Sequence, residues 1–69
     1  METINFKKLD SETYIVADSI HAVNMHTRYS RANKHYEITI GQFYFEISTL
    51  AKAKEKIELM WPKIEKFEV

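Results

Sequence analysis

The sequence predicts an α+β domain in which an antiparallel sheet of four to five strands packs against one C-terminal amphipathic helix. Three observations predict it. Apolar and polar residues alternate through much of the chain before Thr49, as half-buried strands require. The runs HYEITI and FYFEIS are separated only by Gly41-Gln42, the length of a tight hairpin turn. From Thr49 the apolar spacing lengthens to about three and a half residues, the period of a helix lying on a core. With 69 residues there is room for one hydrophobic core, so residues 1–69 are read as a single small domain.

The first strand is expected at Thr3 to Lys8, with Ile4 and Phe6 on one face, and Asp10-Ser11-Glu12 supplies turn chemistry. Thr13 to Ala17 returns as a second strand. Asp18-Ser19 breaks it, and Ile20 to Tyr29 resumes with Val23, Met25, Thr27 and Tyr29 on one face and Asn24, His26 and Arg28 on the other. Gly41 at the first loop position suits a type II′ turn, because that residue needs a positive φ. Pairing across the turn sets Ile40 opposite Phe43, Ile38 opposite Phe45 and Tyr36 opposite Ile47, which makes that face the core face. Glu37 then faces Glu46 on the other side, and Arg28 of the preceding strand is expected to neutralise the pair. Ser48 or Thr49 can cap the helix, whose apolar stripe reads Leu50, Ala53, Ile57, Met60, Ile64 and Phe67. Pro62 should stop or kink that helix near Trp61, after which EKFEV is either a second short helix or a terminal strand.

Composition bounds the function classes. Apolar residues form 45% of the chain and aromatics 13%, with one Gly and one Pro, so an ordered chain is expected. Without cysteine there is no disulfide framework and no thiol chemistry. The N-terminal segment METINFKKLD lacks the pattern of a secretory leader, and no run approaches the ~18 apolar residues of a membrane span, so a cytoplasmic protein with no membrane partner is expected. Ten Lys and Arg balance ten Asp and Glu. Their distribution is uneven, since no acid occurs between Asp18 and Glu37 while Arg28, Arg31, Lys34, His21, His26 and His35 all do.

That basic loop is the main candidate binding surface. Cations meet phosphates or carboxylates and Tyr rings can stack on bases, the combination that nucleic-acid and nucleotide sites use. With Arg28 assigned to the Glu pair, the expected contact residues are Tyr29, Arg31, Lys34, His35 and Tyr36. Trp61, one position off the helical stripe, either packs under the sheet edge or anchors an interface, as Trp often does. His21 and His26 are five apart and face opposite sides of a strand, and no Cys or HExxH spacing accompanies them, so neither a metal nor a cofactor is expected. No positioned acid, base or nucleophile motif marks an enzyme.

The order INFKKL, DSE, TYIVADSIHAV, a long hairpin into HYEITIG, QFYFEIS and a helix opening TLAKAKEKIEL resembles the layout of the small flagellar FlbD-like family and of similar short bacterial and phage proteins. The resemblance covers residues 3 to 60. It implies a non-enzymatic cytoplasmic protein and transfers no site residues. Here Gly41-Gln42 stands where an Asn-Gly turn is usual, the basic loop is longer, and a Pro62 tail follows the helix. The expected function is therefore a small interaction or regulatory protein, of the kind phages use as inhibitors. It would bind a protein partner through the basic loop or the Trp61 end, as a homo-oligomer with a dimer favoured. The alternative is a nucleotide or nucleic-acid binding protein using Tyr29, Arg31, Lys34 and Tyr36.

Overall fold

Alternation in the strands and helical spacing after Thr49 combine into one sheet with one helix on its inner face. The computed structural model describes residues 4–68. Its strands are β1 (Asn5–Lys8), β2 (Thr13–Ala17), β3 (His21–Ser30), β4 (His35–Ile40), β5 (Phe43–Ile47) and β6 (Phe67–Glu68), with helix α1 (Leu50–Met60) between β5 and β6. Thr3, expected in the first strand, lies outside the described residues. The strands pair antiparallel in the order β1-β2-β3-β4-β5, and β6 pairs with β3. The sheet is thus larger than the expected four to five strands. The added strand is the chain's last segment, which runs past the end of β4 and pairs Phe67 with Ala22 and Glu68 with His21.

The β4–β5 register is the expected one, with Ile40 opposite Phe43, Ile38 opposite Phe45 and Glu37 opposite Glu46. Gly41 has φ 56°, and among the described residues Lys34 is the one non-glycine with positive φ, so Gln42 does not share the left-handed turn. That pattern is type II′ rather than I′. Val16, Val23, Met25, Ile38 and Ile40 from the sheet meet Ala53 and Ile57 of α1, and Trp61 and Ile64 complete the core. The Thr49 side chain accepts from the Lys52 backbone N–H at 3.1 Å and caps α1. Pro62 ends the helix in a short 3₁₀ turn, Trp61–Lys63.

Beyond that turn the helical stripe fails. Ile64 is buried but Phe67 is 76% exposed in a strand, and Leu59 within α1 is 84% exposed. The Gln42 side chain redirects the tail: its Nε2 donates to the Lys63 carbonyl at 2.8 Å and its Oε1 accepts from the Glu65 N–H at 2.8 Å. No helix among the described residues is long and apolar enough to cross a membrane.

Candidate functional site

The basic loop is the tip of the β3–β4 hairpin. Residues 31–34 close it, with the Lys34 N–H donating to the Ser30 carbonyl at 2.7 Å and the Asn33 N–H to Ser30 Oγ at 3.4 Å. Lys34 carries φ 57°, a left-handed conformation that strains any residue with a Cβ and that Gly would adopt freely. Arg28, Arg31 and Lys34 are exposed, and among the described residues none of them forms an ion pair. The expected Arg28-Glu37-Glu46 row exists as a register, Arg28 opposite Glu37 and Glu37 opposite Glu46. Its charges are nonetheless not bridged by Arg28. Glu46 instead accepts from the Tyr44 hydroxyl at 3.2 Å and lies 3.5 Å from His35 Nε2.

Strand alternation divides the remaining candidates between two faces. Tyr29 and Tyr36 point to the face that carries α1, where their rings meet edge to face at 5.0 Å between centroids. Tyr29 stays about half exposed. His35 points to the open face with Glu37, Glu46 and Tyr44. The five-residue surface Tyr29, Arg31, Lys34, His35 and Tyr36 is therefore not one surface. Arg31 and Lys34 lie in the turn, the two tyrosines on the helix side of the strands that flank it, and His35 belongs to a separate cluster.

In that cluster His35 Nε2 is enclosed without a hydrogen bond, and the ligand atoms of His35, Glu37 and Glu46 all lie within 4.8 Å of one another. Among the described residues these three form the set able to hold a metal ion. A proton on His35 would satisfy the same Glu46 oxygen. Desolvation of the Tyr44 hydroxyl, followed by its hydrogen bond to Glu46, holds the phenol above its ordinary 10.0. Sequence reasoning missed this grouping because it assigned both glutamates to Arg28. The two-residue spacing of His35 and Glu37 on one strand was the available signal.

Trp61 sits at the other end of the sheet. β3 has ten residues, a span of about 33 Å, and Trp61 lies beside its start rather than its tip. The side chain is 5% exposed, and its Nε1 donates to Asp18 Oδ2 at 2.6 Å. Asp18 Oδ1 also accepts from the backbone N–H groups of Ile20 at 2.8 Å and His21 at 2.6 Å, shaping the β2–β3 bend. Lys66 stands 4.8 Å over the indole ring and donates to the Trp61 carbonyl. Of the two readings of Trp61, packing is the one this geometry builds, and little of its ring is left for a partner. Compared with protein-family models, with curated proteins and with solved structures, the chain matches none.

Proposed function

We propose that this chain is a small, non-catalytic, cytoplasmic interaction module that binds an acidic protein surface through the β3–β4 tip. Arg31 and Lys34 supply the charge, and Tyr29 and Tyr36 supply rigid contact area. The observation that carries the reading is Lys34: a cation occupies a left-handed position where Gly would fit without strain, at the end of a hairpin in which neither Arg31 nor Lys34 forms an ion pair among the described residues. Strain kept at a solvent-exposed tip points to use of that side chain. The FlbD-like layout agrees with a protein that carries no active site.

The test is quantitative capture from host extract by the native chain and by the double variant Arg31→Glu, Lys34→Glu. The expected result is loss of an acidic partner in the variant, with binding to the native chain weakening as salt rises. If the reversal changes no partner, the reading fails. The half-exposed Tyr29 also suits base stacking, so a single-stranded oligonucleotide is titrated in parallel. Salt-dependent binding there, lost in the same variant, would replace a protein partner with a nucleic acid.

A further inference from the structure

Among the described residues β5 pairs with β4 alone and so forms one edge of the sheet. The hairpin register determines which backbone groups that edge leaves unpaired. Ile40 and Phe43 flank the two-residue turn as a hydrogen-bonded pair, so Phe43, Phe45 and Ile47 turn their N–H and C=O groups toward β4. Tyr44 and Glu46 turn theirs outward. Sheet edges are ordinarily guarded by lysine, proline or a bulge. The opposite edge, β1, has Lys7 and Lys8 in its four residues NFKK. β5 reads FYFEI, with no lysine, no proline, an unbroken register and one charge, Glu46. Beside it runs an apolar groove lined by Phe43, Tyr44, Phe45, Lys56, Leu59 and Met60, with Leu59 84% and Tyr44 58% exposed.

We propose that this edge binds a second copy of the same chain, β5 against β5, antiparallel about a two-fold axis at Phe45. A strand is the ligand that satisfies a row of outward N–H and C=O groups, and the side chains select the copy. With the axis at Phe45 all five β5 residues overlap. Tyr44 then faces the partner's Glu46, so a hydroxyl meets a carboxylate on both sides of the axis. These are also the residues whose backbone groups point outward, so each such pair exchanges both its hydrogen bonds. On the helix face Phe43 meets the partner's Ile47, and Phe45 meets its counterpart. Moving the axis to Glu46 would oppose two carboxylates, which disfavours that register. The two helices end on one face of a continuous sheet, where the two Leu59 side chains and the two grooves close on each other. The paired β5 strands run in opposite directions, so the two basic tips point away from one another. This proposal concerns a different surface from the tip and stands or falls independently of it.

Sedimentation of the native chain across a concentration series tests it. The expected result is a species of twice the 8.2 kDa chain mass that dissociates on dilution. Tyr44→Pro removes one outward N–H per copy without touching the β4 ladder, and should weaken association about tenfold or more with an unchanged circular-dichroism spectrum. The register has its own measurement, because the chain has no cysteine. A mixture of Tyr44→Cys and Glu46→Cys chains should cross-link on oxidation, since opposed residues lie within about 5.5 Å between Cα atoms, while Tyr44→Cys alone should not. A chain that stays monomeric at millimolar concentration overturns the proposal. So does a dimer that is indifferent to Tyr44→Pro, or one whose mixed cysteines fail to link.

Discussion

Replacing Asp18 with Ala should be the most damaging single polar change in this protein. The carboxylate accepts from at least three donors, the Trp61 indole N–H and the backbone N–H groups of Ile20 and His21. Its side chain is 1% exposed and Trp61 is 5% exposed, so water cannot take its place at the indole. A buried donor left unpaired costs about 1–3 kcal/mol. The Ile20 N–H is exposed and rehydrates, whereas the Trp61 and His21 donors do not, which gives about 3 kcal/mol in all. A chain of this length holds roughly 3–10 kcal/mol of stability, so the loss is a large share of the whole. In melting temperature it corresponds to a fall of about 15 °C. Asp18→Asn should also destabilise, because an amide offers one oxygen where two are in use. The assay is urea unfolding followed by circular dichroism, since fluorescence would be lost in the Trp61→Phe arm. A double-mutant cycle of Asp18→Ala with Trp61→Phe should return a coupling of about 1 kcal/mol or more. If Asp18→Ala costs under about 0.5 kcal/mol, the surface value, or if the cycle shows no coupling, the anchoring role is wrong.

Gly41→Ala should cost about 2 kcal/mol or more in a urea titration, because the left-handed φ strains any Cβ and the added atom would sit 2.9 Å from Ile64 Cγ2 and 3.0 Å from the Glu65 carbonyl oxygen. Thr49→Ala should cost about 1 kcal/mol through the lost cap on the Lys52 N–H, read in the same assay. Lys34→Gly should raise stability by about 1 kcal/mol by relieving the strained φ and at the same time weaken partner capture; loss of stability would refute the strain argument. The backbone N–H of Glu12 bonded to Asp10 holds that carboxylate below its ordinary 3.8. A lowered folded-state pKa means that its contribution is complete above the unfolded value and is lost as pH falls through the folded one. An NMR titration of the Asp10 carboxyl should therefore show a midpoint below 3.8, with the Glu12 and Thr13 amides losing protection over the same interval.

How far the sequence alone determined this protein follows from the range of the forces involved. The β2 limits, the Gly41 turn, the β4–β5 register and a cap at Ser48 or Thr49 were legible because each depends on neighbours in the chain: alternation, one residue that tolerates positive φ, one short side chain that reaches a backbone N–H. The cross-strand register even placed Arg28 beside Glu37. It could not place the charges, because side-chain reach across an open face let Tyr44 and His35 take Glu46. Phe67 fitted the helical stripe by spacing and still went to β6, since Pro62 ended the helix and Gln42 bound the tail 21 residues away from it. Trp61 was ambiguous for the same reason, its partner Asp18 being 43 residues distant. The sequence thus determined β1 to β5, the turns between them and the face that each residue of those strands shows. Only the tertiary structure decided that the tail becomes β6, that the tip and Trp61 lie at opposite ends, and that β5 is left as a sheet edge, because each depends on contacts between segments that chain periodicity does not encode.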